Sequence, residues 1–209
     1  MSYHDEQESI ESFKAWWAQW GDTTTWIVLV ALVAGAAWNG WNFWQRHQAA
    51  QAAVLYEQVQ QAVASKDKAA VVRDAGDMES RYGSTAYGQM TALAAAKALY
   101  EAGDVAGAKA QLQWAIEHAK DDEYKEVAKL RLAAVLLDEK AYDAGLALLE
   151  GTPPEGFQGA VAERRGDLLA AAGKRDDARS AYQLALSSLS KSDTSARQLI
   201  QFKLDALGG

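Results

Sequence analysis

The stretch TTTWIVLVALVAGAAWNGWNFWQRH, residues 23 to 47, is the most apolar part of the 209-residue chain. None of the 22 residues from 23 to 44 is charged. As a helix they would extend about 33 Å, which is close to the roughly 30 Å hydrocarbon core of a bilayer. The stretch therefore predicts a transmembrane helix at residues 23 to 45.

Tryptophan is concentrated around this stretch, with seven of the eight Trp within the first 44 residues. Aromatic rings favour the level of the lipid headgroups, so Trp near both ends of a span is typical of a membrane helix. The rings that we expect at the two interfaces are Trp17, Trp20, Trp26, Trp38, Trp41 and Trp44.

Two alternatives to an anchor are open at this point. The Ala34-Gly35-Ala36 run resembles the cleavage site of a signal peptide, but five acidic residues and only one Lys precede the span. A signal peptide starts with a positively charged region. The central helix of a soluble core would leave the Trp near both ends unexplained. We therefore expect an uncleaved anchor, and its orientation is undecided because Lys14 and Arg46 balance across it.

The tail at residues 1 to 22 contains ESIESFKAWWAQWG, which predicts an amphipathic aromatic helix ending at Gly21. Its apolar residues Ile10, Phe13, Trp17 and Trp20 follow at helical spacing. Such a helix can lie in the membrane interface, or its stripe can dock on another protein.

Within the span, Ala36 and Gly40 are four residues apart and Asn39 lies beside them. Small residues let two helices approach closely, and an amide can hydrogen-bond across the contact. The residues Ala36, Asn39 and Gly40 therefore predict a helix–helix contact. Alternatively, Asn39 and Asn42 lie shallow enough to reach water.

Composition excludes several function classes. A net charge of −7 argues against a nucleic-acid binder, which needs cations to neutralise phosphates. The chain has no Cys, and His4, His47 and His118 are isolated from one another. No catalytic, metal-binding or cofactor-binding motif is evident, so we expect a protein that is not an enzyme.

Three later segments, residues 93 to 119, 130 to 152 and 163 to 189, share one pattern of small and large side chains. They lie 37 and 33 residues apart, and the pattern is that of tetratricopeptide repeats, in which small residues stand where helices cross. The residues that we expect to pack the repeats are Ala96, Leu99, Ala108, Leu112, Ala133, Leu136, Gly145, Leu149, Gly166, Leu169, Ala178 and Tyr182.

The repeat pattern extends in both directions and predicts a tetratricopeptide-like α-solenoid at residues 46 to 209. Gly103 and Gly173 suit the turns inside two repeats, and Lys140 stands at that place in the middle one. Residues 48 to 65 and 68 to 82 predict a degenerate first pair. A closing helix is expected at 196 to 207, with Leu199, Phe202 and Leu207 on or near one face. Together with the span, the chain is predicted to be all-α.

The aromatic tail ending in Gly21, the GW-x-x-W-x-x-H run at residues 40 to 47 and the repeats together resemble the YfgM family. The resemblance implies a single-pass protein of the bacterial inner membrane, with a cytoplasmic N-terminus and a periplasmic repeat domain. It also implies association with the SecYEG translocon, with a PpiD-like membrane-anchored periplasmic chaperone and with nascent secretory proteins.

The resemblance therefore leads us to expect a non-enzymatic adaptor that links emerging secretory proteins to periplasmic chaperones. A structural scaffold for assembly of an envelope or respiratory membrane complex is the alternative. A regulator facing the cytoplasm would share the fold and reverse the topology.

Overall fold

A computed structural model describes residues 3 to 190 and 192 to 208, and these residues form helices and loops without a strand. The prediction of an all-α fold is confirmed. The helices are α1 Tyr3–Ala64, α2 Lys68–Tyr82, α3 Ala86–Glu101, α4 Val105–His118, α5 Asp122–Asp138, α6 Tyr142–Leu148, α7 Gln158–Ala171, α8 Arg175–Ser188 and α9 Thr194–Ala206. The chain divides into two compact units, Met1–Gln48 and Ala49–Gly209.

In the first unit, α1 does not end at Gly21 as the sequence predicted. Gly21 keeps helical backbone, and the indole of Trp17 covers the place where a Cβ would stand. The helix continues through the next turn, where the hydroxyls of Thr24 and Thr25 donate to the carbonyls of Trp20 and Gly21 at 2.9 and 2.8 Å. These bonds satisfy the hydroxyls within the helix itself.

One helix in the described part of the chain is long and apolar enough to cross a membrane. It lies near the N-terminus, within Phe13–Ala64, and its most apolar window has no buried residue. A helix whose apolar side chains face outward on all sides is suited to lipid and not to the core of a soluble domain.

In the second unit, neighbouring helices pack as antiparallel pairs, α3 with α4, α5 with α6, and α7 with α8. The last turns of α1 supply Ala52, which packs with Met78 and Tyr82 of α2. The predicted degenerate first pair is therefore present. The loop that contains both prolines, Pro153 and Pro154, separates α6 from α7.

The turns inside the pairs show one backbone feature in all four repeats. Lys66, Gly103, Lys140 and Gly173 have φ of 56°, 78°, 60° and 78°, and they follow one another at intervals of 37, 37 and 33 residues. The left-handed conformation lets the chain reverse after a helix. The first pair thus has the same left-handed turn as the later three pairs.

The closing helix α9 packs differently from the sequence prediction. Ile200 is buried, and Leu204 and Leu207 pack beside it against α8, whereas Leu199 and Phe202 are 51% and 72% exposed. At about 100° per residue, Leu207 falls close to Ile200 and away from Leu199 and Phe202. The prediction that the three share one face was wrong, because apolar residues occupy two sides of this helix.

Candidate membrane anchor and protein-binding surfaces

The span has two distinct sides. At about 100° per residue, Gly35, Ala36 and Asn42 lie within about 60° of Asn39 around α1. Trp26, Trp41 and Trp44 lie on the opposite side, between about 140° and 200° from Asn39. One side therefore combines small and amide side chains, and the other carries indole rings.

The structure places Ala36, Asn39 and Gly40 on α1 with their surfaces exposed. Gly40 lies about 100° from Asn39, at the margin of the small and polar side, while Gly35 lies nearer its centre. The predicted helix–helix contact did not include Gly35. Its spacing of four residues from Asn39 could have indicated that both lie on the same side of the helix.

Aromatic clusters lie at both ends of the apolar stretch. Phe13 is 6.1 Å from Trp16 and 6.0 Å from Trp17 between ring centroids, and Trp41 and Trp44 are 5.3 Å apart. The side chain of Ile10, which the sequence assigned to the same stripe, lies outside the described residues. The rings predicted to be interfacial are all exposed: Trp17, Trp20, Trp26, Trp38, Trp41 and Trp44.

The twelve predicted packing residues lie on successive helix pairs of the second unit. Gly166 touches the ring of Tyr182, and Gly145 touches Leu168, so closely that a Cβ at either glycine would lie within 3 Å of a neighbouring carbon. Leu136 and Leu169 are half-buried. The other positions are buried: Ala96, Leu99, Ala108, Leu112, Ala133, Gly145, Leu149, Gly166, Ala178 and Tyr182.

Polar contacts tie adjacent repeats together. Arg131 on α5 donates to the carbonyl oxygen of Leu93 on α3 at 3.0 Å, and the Tyr100 hydroxyl donates to the Asp138 carboxylate. The Asp138 hydrogen bond raises the pKa of Tyr100. A cavity of about 390 Å³ lies between these helices, with an apolar floor that includes Leu112 and Val135.

The last repeat and α9 are joined by a charged cluster. The Lys203 ammonium contacts Glu163 at 2.6 Å and Asp167 at 2.8 Å, and the Tyr182 hydroxyl donates to Asp167 at 2.9 Å. Burial disfavours the charge of Lys203, but its hydrogen bonds to the two carboxylates outweigh burial and raise its pKa. Burial and the Asp167 charge raise the pKa of Tyr182.

Trp114 lies half-buried between helices. Its ring packs against the core between α3, α4 and α5, approaches Gly83 and stacks on His118 with centroids 4.9 Å apart. Within the described residues, no group of three or more His, Asp or Glu is arranged to hold a metal ion.

An apolar helix exposed on all sides, followed by a stack of helical hairpins, defines a membrane-anchored repeat protein. The family model of the tetratricopeptide repeat-like domain matches residues 14–209. The chain belongs to this family and is a YfgM-like member of it.

Two relatives have the name ancillary SecYEG translocon subunit. The protein from Neisseria gonorrhoeae is 30% identical over 155 residues, which cover 74% of each chain. The protein from Escherichia coli is 32% identical over 123 residues, which cover 58% of each chain. No solved structure matches the chain significantly.

Proposed function

We propose that this protein is a non-enzymatic, membrane-anchored adaptor at the Sec translocon that links emerging secretory proteins to periplasmic chaperones. The observation that carries the proposal is the similarity to a relative named ancillary SecYEG translocon subunit over 74% of both chains. The exposed apolar helix and the repeat stack support it, because an adaptor needs an attachment to the membrane and a surface for polypeptides.

The proposed topology is a single span in the bacterial inner membrane, with residues before the span in the cytoplasm and the repeat domain in the periplasm. Alkaline phosphatase is active only when exported, so a fusion after Gly209 should be active. A fusion after Asp22 places the enzyme before the span and should be inactive. An inactive fusion after Gly209 would assign the repeat domain to the cytoplasm and would favour a regulator.

We propose that the side of α1 that contains Ala36, Asn39 and Gly40 contacts a transmembrane helix of the translocon. An amide in hydrocarbon is costly without a hydrogen-bond partner, and a neighbouring helix can provide one. The opposite side, with Trp26, Trp41 and Trp44, is suited to lipid and its headgroups. This division accounts for the placement of both residue types.

The contact can be tested with two variants, each of which introduces two leucines into α1. Asn39→Leu with Gly40→Leu fills the proposed contact side and removes the amide, so co-purification with the translocon should fall severalfold. Ala34→Leu with Ala37→Leu adds comparable bulk about 140° to 200° away from Asn39. Co-purification should persist in that control, and equal retention in both variants would exclude this side as the contact.

The repeat domain is proposed to engage a PpiD-like chaperone and emerging chains after the span has placed it beside the channel. Tethering raises the effective concentration of a weak binder to around the millimolar range for short linkers. Photocrosslinking to a stalled secretory chain tests this role. An adaptor should crosslink to different stalled chains, whereas crosslinks to one constant protein would favour the structural scaffold.

A further inference from the structure

Helix α6 is half as long as the equivalent helices of the neighbouring repeats. It has seven residues, Tyr142–Leu148, whereas α4 and α8 have 14 residues each. The chain leaves the stack after Leu149 and passes through the proline loop before α7 begins. About two helical turns are therefore missing from the third helix pair, α5 and α6.

A groove of about 580 Å³ lies beside this early end. One wall is formed by Leu149 and the loop that follows it, and the floor and the other wall are formed by α7 and α8. The part of α8 that lines the groove runs from Asp177 to Ser188, which is about 16 Å or three helical turns.

The groove is mainly apolar, with Ser180 and Ser188 among its polar lining residues. Leu169, Ala181 and Leu184 line it, and Leu184 is 58% exposed to solvent. On the other side of α6, toward α4, a second cavity of about 420 Å³ is lined by Leu136 and Leu148. Both openings border the shortened helix.

The walls of the groove indicate which conformation a bound peptide would have. An extended peptide gains affinity when its backbone pairs with the free edge of a sheet, and the described residues lining this groove belong to helices and a loop. A helix satisfies its own backbone and needs only an apolar face to fill such a groove. The neighbouring repeats hold a helix at the equivalent place.

Charge indicates the ends of the occupant. One cation and one anion line the groove, and neither has an ion-pair partner within the described part of the chain. The guanidinium of Arg165 donates to the Leu149 carbonyl at 3.3 Å, and Asp177 lies on α8. The carboxylate of Asp177 lies at one end of the groove. A helix with an apolar middle and a basic residue beside Asp177 therefore complements this end of the groove.

We propose that this groove, next to the early end of α6, binds a short amphipathic helix of another polypeptide, with an apolar face against Leu184 and a basic end beside Asp177. The inference deepens the adaptor role, and it rests on that role only for the biological source of the helix. The groove itself is a property of the second unit.

The experiment uses the full chain in lipid nanodiscs and a fluorescein-labelled 14-residue peptide of Ala, Leu and Gln, patterned as one apolar helical face with Lys at each end. Fluorescence anisotropy is measured with the signal from empty nanodiscs subtracted. Leu184→Glu should weaken binding at least tenfold. Leu199→Glu, at a similarly exposed leucine on α9, should change it less than twofold.

Two further comparisons test the conformation and the charge. A peptide with two central prolines should lose binding at least tenfold, because proline breaks the helix. Asp177→Lys should weaken binding of the Lys-ended peptide at least threefold and favour a Glu-ended one, whereas Asp205→Lys on α9 should do neither.

The proposal is overturned if the peptide does not bind, if Leu184→Glu and Leu199→Glu have equal effects, or if the proline peptide binds as tightly. Co-purification with the translocon is measured on the same variants. Since these substitutions leave the span unchanged, translocon association should persist in all of them. Loss of peptide binding and failure of the proposed function are therefore separate results.

Discussion

The two units of this protein use the same secondary structure with opposite side-chain distributions. In the first unit, Leu32 and Trp38 are 66% and 71% exposed, and the apolar window of the helix has no buried residue. In the second unit, half of the 28 buried hydrophobic residues in the described chain are Ala. Large apolar side chains face outward in one unit, and small ones face inward in the other.

The difference shows that the surrounding solvent decides which surface a helix can expose. In lipid, the backbone must be satisfied within the helix and apolar side chains face the acyl chains. In water, helices bury their apolar surface against one another, and small side chains let them approach closely. The predictions below test this contrast, beginning with the largest expected effect.

Equal charge substitutions in the two units should have very different outcomes. Leu32→Arg with Val33→Arg places two cations in the span, at a cost of about 5–7 kcal/mol for insertion. Leu199→Arg with Phe202→Arg changes residues of similar exposure in the second unit, and should alter stability by no more than about 1 kcal/mol. The share of protein that sediments with membranes should fall only for the first pair. Equal sedimentation of both would contradict the contrast.

The charged cluster around Lys203 should matter more than a surface pair. Lys203→Met leaves the Glu163 and Asp167 carboxylates without their cation and should lower the free energy of unfolding by about 1.5–3 kcal/mol. Lys97→Met removes an exposed pair with Glu101 at 3.8 Å and should cost less than about 1 kcal/mol. Urea unfolding followed by circular dichroism measures both variants.

The same cluster predicts the sign of the pH dependence. The folded state raises the pKa of both Lys203 and Tyr182, so it holds these protons more tightly than the unfolded chain. The stabilisation is fully present below about pH 10, near the unfolded pKa values, and is lost as the pH rises above them. In Lys203→Met the loss above about pH 10 should be shallower. An unchanged pH slope would exclude Lys203 as a contributor.

Close packing between α7 and α8 should be sensitive to one added carbon. A Cβ at Gly166 would lie 2.5 Å from the Tyr182 ring, so Gly166→Ala should destabilise the second unit by about 1–3 kcal/mol. A Cβ at Gly76, in the middle of α2, meets nothing within 4 Å. Gly76→Ala should therefore stabilise by about 0.5–1 kcal/mol. The contact is unimportant if both variants unfold at the same urea concentration.

The smallest expected effect concerns a turn. Lys140 has φ of 60°, a conformation that costs about 1–2 kcal/mol for a residue with a side chain. Lys140→Gly relieves this cost but increases the freedom of the unfolded chain, and should stabilise by about 0.5–1 kcal/mol. Gly103→Lys, the reverse change at the equivalent turn, should destabilise. Circular dichroism melts test both, and a destabilised Lys140→Gly would refute the expectation.

The helix pairs could be predicted from the sequence because close crossings require small side chains at repeated positions, such as Ala108, Gly145 and Ala178. The turn at Lys66 could not be predicted, because nothing in a lysine itself favours the left-handed conformation that the neighbouring helices impose. Gly21 misled for the opposite reason, since a glycine can also continue a helix when the next turn is helical.

Other features depended on tertiary structure. The two apolar sides of α9 made its buried face ambiguous, and contact with α8 selects Ile200. The early end of α6 was hidden, because apolar residues continue to Leu149 before the loop. The groove next to Leu184 follows from that end and is visible only when the adjacent helices are in place.

Extraction with alkaline carbonate tests the central claim, that the stretch around Trp26 to Trp44 crosses lipid. Carbonate removes peripheral proteins and leaves integral ones in the membrane pellet. The account predicts that the full chain stays in the pellet, together with an integral marker protein. Release of the chain into the supernatant while that marker stays behind would contradict it.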